Sequence, residues 1–230
     1  NMSYEQMHTL YVVMLAGAIS GLAISALTIN PAHLLMPLVI SLALMATGSV
    51  MDSFSSNLTR PQNLYVSQFL LGFGGTFFLG PTMVLGTKNV LTNPRNLVSF
   101  SVMFGICQNL GGLIGAALLG TFQVVREKFH SSMIVEHLTL LDPRVAARVQ
   151  SGGSAYGGLV ADPELRNLMG IRSLATAATR EANVMAYNDV FMLIAIIAIL
   201  TMLWIFTRSL WLMTTTQAAT PPVQPSGVTS

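Results

Sequence analysis

Five apolar segments without a charged residue in their cores constrain this chain more than any other feature. They cover residues 7–29, 33–51, 64–87, 97–125 and 188–208, and are named spans A to E in that order. About 20 mostly apolar residues are enough for a helix to cross the hydrocarbon core of a bilayer. One charge at the centre of such a helix costs roughly 2.5–3.5 kcal/mol on insertion scales. The pattern therefore predicts an all-α integral membrane protein with five transmembrane helices.

The composition agrees with a membrane protein and argues against several other classes. Hydrophobic residues make up 52% of the chain and charged residues 9%, whereas soluble domains contain about 25% charged residues. The formal net charge of +2 is too small to favour nucleic-acid binding. A single cysteine, Cys107, excludes an internal disulfide bond. We expect the lipid bilayer to be the main partner, and no nucleic acid.

No arrangement typical of an enzyme or a cofactor site occurs in the sequence. Two of the four histidines are at span ends, two lie between spans D and E, and none has a cysteine nearby. Metal and haem sites need ligands at usable spacing, and phosphate-binding loops need a glycine-rich motif. The sequence therefore predicts neither catalysis nor a cofactor or metal.

The short loops predict how the chain is oriented. Residues 88–96 contain Lys88 and Arg95 and no acid, and the positive-inside rule places such a loop in the cytoplasm. Parity then places residues 209–230 in the cytoplasm and residues 126–187 outside, in the periplasm if the cell is Gram-negative. The tail is rich in Thr, Pro and Ser, which predicts disorder for residues 209–230.

The long segment between spans D and E, residues 126–187, is predicted to be helical. Residues 127–141 carry apolar side chains at helical spacing, and Asp142-Pro143 and Asp162-Pro163 are each typical of an N-cap followed by the first helical residue. Glycines in residues 151–158 predict a flexible loop. We expect two or three short amphipathic helices lying on the outer membrane surface, either as a connector or as a lid or docking surface for a periplasmic partner.

Glycines divide the spans into two groups. Span D contains FGICQNLGGLIGAALLG, residues 104–120, and on a helical wheel one face of it is small and polar. Small residues let membrane helices pack closely, and amides in hydrocarbon need partners. Spans A, C and D are therefore predicted to be interior, and B and E peripheral. The residues assigned to helix packing, and to gating where Pro81 kinks span C, are Gly17, Gly21, Gly72, Gly80, Pro81, Gly111, Gly112, Gly115 and Gly120.

The order of these motifs resembles the EmrB-type branch of the major facilitator superfamily, the fourteen-span drug:proton antiporters. The similarity covers roughly residues 64–206. It rests on Gln68-Phe-Leu-Leu-Gly followed by Gly80-Pro81, on Gln108-Asn-Leu-Gly-Gly, and on the long external segment that closes with residues 181–191. The resemblance implies that spans A to E are helices two to six of a C-terminal six-helix bundle. We therefore expect the chain, which opens with Asn1, to be part of a longer protein.

The resemblance also implies a function, which is export of hydrophobic or amphipathic compounds from the inner membrane by proton antiport through alternating access. It implies a periplasmic adaptor and an outer-membrane channel as partners in a Gram-negative cell. The candidates to line the substrate path are Gln68, Thr76, Phe104, Gln108 and Asn109.

Two points about this function stay open at the level of sequence. No span core contains a titratable carboxylate, so the proton-carrying acid is expected upstream of Asn1, with Asp52 and Asp189 as interfacial caps at span ends. The alternatives to a transporter are a non-transporting five-span membrane scaffold and an inactive transporter remnant, since five helices cannot form two rocking bundles.

Overall fold

The computed structural model describes residues 4–88, 90, 95–139 and 141–218, and the regular structure in these ranges is entirely helical. Helices α1 to α4 and α6 are long and apolar enough to cross a membrane. The prediction of an all-α chain with five membrane-length helices is therefore confirmed, and spans A to E correspond to these five helices in order, with residues 29, 33, 34 and 64 of the spans outside them. The elements are α1 Tyr4–Thr28, α2 Leu35–Asp52, a 3-10 helix Pro61–Leu64, α3 Tyr65–Lys88, α4 Arg95–Glu136, α5 Pro143–Ser154 and α6 Pro163–Ala218.

Side-chain caps begin the two helices that follow the Asp-Pro pairs. Asp142 Oδ1 accepts a hydrogen bond from the backbone N–H of Arg144 at 2.8 Å, directly before α5. Asp162 Oδ1 accepts one from Glu164 N at 2.9 Å, directly before α6. Each bond satisfies a backbone donor that the first helical turn leaves without a partner. Both predicted helix starts are confirmed.

Helices α4 and α6 extend far beyond spans D and E. They contain 42 and 56 residues, or about 63 and 84 Å at 1.5 Å per residue, against a hydrocarbon core of about 30 Å. Residues 126–136 contain neither Gly nor Pro, so nothing in the sequence ends α4 where its apolar part ends. The prediction of short separate helices was therefore wrong for residues 127–136 and 163–187, which belong to α4 and α6. Among the described residues between spans D and E, α5 is the one short separate helix, and a position on the outer membrane surface stays a prediction.

Two observed helix ends also differ from the prediction. Residues 151–154, which were expected to belong to a flexible loop, form the last turn of α5. Helix α6 ends at Ala218, beyond the predicted end of the last span at residue 208. The remainder of the tail that is predicted to be disordered, residues 219–230, lies outside the described residues.

The membrane-length helices pack in a row that does not follow the chain order. Helix α3 lies between α1 and α2, α2 also contacts α6, and α6 contacts α4 and α5. In the most apolar stretch of α2, 39% of the residues are buried, whereas none is buried in the most apolar stretch of α4. In the described part of the chain, span B is therefore the most buried and span D the least. The prediction that B is peripheral was wrong, whereas an interior position for D in a longer protein stays a prediction.

The reason for this error is that small residues other than glycine also permit close packing. The buried face of α2 includes Ser41, Ala46 and Ser49, none of which a search for glycines finds. Helix α6 contains no glycine in span E, yet it buries a stripe of alanines in and before that span. These alanines are Ala178, Ala182, Ala186, Ala195 and Ala198.

Candidate functional site

An apolar cavity lies among α2, α3, α4 and α6. Its volume is about 580 Å³, within the range of roughly 300–1,000 Å³ that is typical of small-molecule sites. The one hydroxyl in its lining, that of Thr201, donates to Ile197 O in its own helix at 2.7 Å. The cavity therefore offers apolar surface and no side-chain donor that lacks a partner. Its lining consists of Leu42, Met45, Phe78, Gly115, Leu118, Leu119, Phe122, Leu193, Ile194, Ile197, Ala198 and Thr201.

Small residues keep this cavity open. Gly115 on α4 has no heavy atom within 4 Å of the position that a Cβ would take, so the space beside it is empty. On α6, Ala198 packs against Leu42 and Ala46 of α2, and Phe78 of α3 packs against this cluster. The cavity volume therefore depends on the missing side chain at Gly115 and the short one at Ala198.

The two candidate path residues on α3 do not line this cavity. Gln68 Nε2 donates to Asp52 Oδ2 at 2.7 Å, at the end of α2. Thr76 Oγ1 donates to the backbone oxygen of Ala18 at 2.8 Å and so connects α3 to α1. In this structure both side chains bridge helices.

The three candidate path residues on α4 lie apart from the cavity as well. The ring of Phe104 is 5.8 Å from that of Phe100, one turn earlier. Asn109 Nδ2 donates to Gly105 O in its own helix at 2.9 Å, and Gln108 is exposed. The structure does not bring the five candidates together, and their role in a substrate path stays a prediction.

Glycines bring α1 and α3 into backbone contact. A Cβ at Gly17 would stand less than 3.0 Å from Phe69 O, and a Cβ at Gly72 would stand equally close to Met14 O. Gly21 and Gly80 make similar approaches on the same pair of helices, to Phe73 O and to Ser25 Oγ respectively. Real Cβ atoms essentially never approach so closely, and a backbone oxygen cannot turn away, so α1 and α3 can cross at this distance only with glycine at positions 17, 21 and 72. At Gly80 the opposing atom belongs to a side chain. Pro81 follows Gly80 and is buried inside α3.

The glycines of α4 have different surroundings. At Gly111, Gly112, Gly115 and Gly120 no atom outside the local backbone lies within 4 Å of the position that a Cβ would take. Gly115 borders the apolar cavity, and the other three are exposed and uncovered by the described helices. A packing role for these four residues stays a prediction, and it needs a helix that the described residues do not supply.

A buried carboxylate connects the end of α2 to the start of α3. Asp52 is 2% exposed and accepts hydrogen bonds from Ser67 Oγ and Gln68 Nε2. Ser67 and Gln68 belong to the first turn of α3, where the helix dipole favours a negative charge. The sequence places Asp52 at a span end, but nothing in it indicates that Ser67 and Gln68 enclose the carboxylate.

A second polar cluster connects α4 to α6. Asp189 Oδ2 accepts a hydrogen bond from Arg126 Nε at 2.6 Å and lies 2.6 Å from His130 Nε2. The Arg126 guanidinium carbon is 4.8 Å from the centre of the Phe129 ring, which is within the range of a cation–π contact. This cluster joins the two long helices near the ends of their apolar stretches.

The chain matches no family model, no curated protein and no solved structure. Within the described ranges, no group of three or more His, Cys, Asp or Glu residues could hold a metal ion. The apolar cavity has the size and lining of a ligand site, and the two polar clusters hold the helices that surround it.

Proposed function

We propose that this chain is the C-terminal portion of a major facilitator superfamily transporter of the EmrB-type branch, which exports hydrophobic or amphipathic compounds by proton antiport. The observation that carries this proposal is the apolar cavity of about 580 Å³ among α2, α3, α4 and α6. Burial of apolar ligand surface there contributes about 25 cal/mol per Å². Because no free donor fixes a ligand's orientation, the cavity suits varied hydrophobic compounds.

The uncovered face of α4 supports the same proposal. Alternating access requires two helical bundles that rock against each other, so a bundle in this mechanism needs a surface for its partner. Gly111 and Gly112 lie on α4 without neighbours, beside the exposed amides of Gln108 and Asn109. Small residues and amides are what close helix contacts in a membrane use. We therefore assign this face to helices encoded upstream of Asn1.

Contacts outside the apolar stretches support the proposed topology. The loop after α2 touches α6, because Asn57 Nδ2 donates to Glu181 Oε1 and Asn188 Nδ2 donates to Ser55 O at 2.7 Å. The positive-inside rule assigns the loop after α2 and residues 126–187 to the same side of the membrane. We propose a multi-pass protein of the inner membrane with this side in the periplasm, where an adaptor would contact it, and a cytoplasmic C-terminus.

Substitution of Gly115 tests the cavity as the substrate site. Gly115→Leu places a side chain in the cavity without a steric clash, because no atom lies within 4 Å of its Cβ position. Ala117→Leu is the matched control, since Ala117 is exposed on α4, does not line the cavity and is not among the residues assigned to helix packing. In the full-length protein we expect Gly115→Leu to reduce efflux of a lipophilic fluorescent dye at least several-fold, and Ala117→Leu to leave efflux close to that of the unchanged protein. Equal efflux by both variants would remove the cavity from the substrate path.

A pair of carboxylate substitutions tests the proton site. Asp52→Asn and Asp189→Asn should leave proton-driven export largely intact in the full-length protein, because both carboxylates are paired near the ends of apolar stretches and neither lines the cavity. The measurement is dye efflux driven by an imposed pH gradient. If either change uncouples efflux from the gradient, that carboxylate is the proton carrier and the upstream assignment is wrong.

The coding sequence upstream of Asn1 tests the remaining part of the proposal. About nine further apolar spans in frame, one of them with a buried acid, are expected for a transporter of this branch. A start codon directly before Asn1 would instead favour the five-span scaffold or the inactive remnant.

A further inference from the structure

Helix α5 and the part of α6 that packs on it carry arginines and no acids. Helix α5 contains Arg144 and Arg148, and neither its range Pro143–Ser154 nor residues 165–180 of α6 include Asp or Glu. The same stretch of α6 contains three further arginines, the last of which is Arg180. Acids flank these ranges at Asp142, Glu164 and Glu181, so the excess of positive charge is local, and residues 126–187 as a whole are nearly neutral.

Close backbone packing holds this unit together. A Cβ at Gly170 on α6 would overlap the backbone oxygen of Val149 on α5, and a Cβ at Gly153 would stand 2.6 Å from Arg166 O. Val149 itself is buried. The two helices therefore contact each other through their backbones. This contact fixes the position of α5 on α6, and with it the positions of the arginines that both helices carry.

Three of the arginines border one groove. The groove has a volume of about 370 Å³ and lies between the end of α4, α5 and α6. Arg144, Arg148 and Arg180 line it together with apolar residues that include Leu138, Val145 and Leu174. A pocket with an apolar lining and a few polar groups is the usual form of a small-molecule site.

The positive groups of this groove outnumber the negative ones. Three guanidinium groups and one carboxylate, that of Glu181, line it. The ion pairs within the described residues are those of Asp189 with Arg126 and His130, so none of the three groove arginines has a carboxylate within 4 Å. Glu181 accepts a hydrogen bond from Asn57. Arg144 and Arg148 are one helical turn apart, where like charges repel. A bound anion would relieve this repulsion.

We propose that the groove binds an amphipathic anion with one carboxylate or phosphate head and a short apolar body. Guanidinium groups bind both head groups through paired, charge-assisted hydrogen bonds, and the apolar lining covers the body. The groove volume, near the lower end of the range for ligand sites, limits the length of that body. The site lies outside the apolar cavity and does not depend on export.

Binding of a fluorescent carboxylic acid to the purified chain in phosphatidylcholine nanodiscs tests this proposal. The probe is dansylglycine, which has one carboxylate and a short apolar body, and its methyl ester is the uncharged control. The test variant is Arg144→Gln/Arg148→Gln, and the matched control is Arg166→Gln/Arg172→Gln, which removes two charges from the same helix pair outside this groove. All four arginines lie on the helix surface or are only partly buried, so we expect both variants to fold, which far-UV circular dichroism checks.

We expect the test variant to raise the Kd of the acid about tenfold, equivalent to roughly 1.4 kcal/mol, and the control to change it less than about twofold. Equal affinity for acid and ester, or equal losses in the two variants, would overturn the proposal. Nanodiscs that contain phosphatidylglycerol identify the source of the anion. Displacement of the probe by this lipid supports an anionic headgroup, and undiminished probe binding supports a soluble amphiphile.

Discussion

The crossing of α1 and α3 yields the most direct prediction from this structure. Gly17→Ala would bring a methyl group against Phe69 O, and Gly72→Ala would bring one against Met14 O on the same crossing. Neither carbonyl can move independently, because each belongs to the backbone of a helix. The two helices must therefore separate or tilt to accept either substitution, and α1, whose packing is almost entirely against α3, loses contacts along its length.

The expected magnitude follows from two opposing effects. Overpacking of a close contact costs about 1–3 kcal/mol, while alanine is favoured over glycine inside a helix by about 0.8–1.0 kcal/mol. The net change for Gly17→Ala or Gly72→Ala is a destabilisation of about 1 kcal/mol, and up to about 2. Gly111→Ala and Gly112→Ala are the matched controls, since no atom lies within 4 Å of either Cβ position. Only the helix preference applies there, so these two should stabilise the chain slightly.

The assay is equilibrium unfolding of the purified chain in mixed micelles by increasing mole fractions of SDS, followed by far-UV circular dichroism. The double variant Gly17→Ala/Gly72→Ala adds an internal check. Because the first substitution already separates the helices, the second should cost less, and the combined loss should be smaller than the sum of the two single losses.

Two results would refute this reasoning. If Gly17→Ala stabilises the chain as much as Gly111→Ala does, α1 and α3 do not cross at the distance described. If Gly111→Ala destabilises the isolated chain by 1 kcal/mol or more, the face of α4 is covered, and a second copy of the chain is what covers it under these conditions.

Three polar side chains lead to further predictions. Arg126→Gln should lower the unfolding free energy by up to about 1 kcal/mol, as for other partly exposed ion pairs. No change in SDS unfolding would show that the ion pair of Arg126 with Asp189 does not contribute to stability. Asn188→Ala removes the donor to Ser55 O and should speed proteinase K cleavage within residues 53–60. An unchanged cleavage rate would show that this hydrogen bond does not hold the loop after α2 against α6. Gln108→Leu should change stability by less than about 0.5 kcal/mol and reduce dye efflux by the full-length protein; unaltered efflux would favour a scaffold.

The membrane-length helices could be predicted from sequence because their signal is local. A run of about 20 residues without charge is recognisable wherever it lies in the chain. Asp142 and Asp162 predict the start of a helix because an N-cap acts only on the residues that directly follow it. The close crossing at Gly17 and Gly72 involves residues that the sequence had assigned to helix packing. The full lengths of α4 and α6 were not predicted because hydropathy locates the end of the apolar stretch, and both helices continue beyond that stretch.

The cavity and the polar clusters could not be predicted in the same way. The cavity needs Gly115 and Ala198, two small residues far apart in sequence, to lie on facing helices. Asp52 is buried because α3 places Ser67 and Gln68 over it. Such partners depend on which helices become neighbours, and periodicity within one helix does not encode that choice.

The sequence alone determined that this chain has five helices long and apolar enough to cross a membrane, because the cost of charge and of unpaired backbone groups in hydrocarbon acts on each segment separately. Tertiary structure decided the order of the helices, and with it the burial of α2, the exposure of the glycine face of α4 and the grouping of Arg144, Arg148 and Arg180 around one groove. Between helices that are all apolar, the arrangement depends on how small residues and paired polar groups fit together across each contact, and this fit exists only once the helices meet.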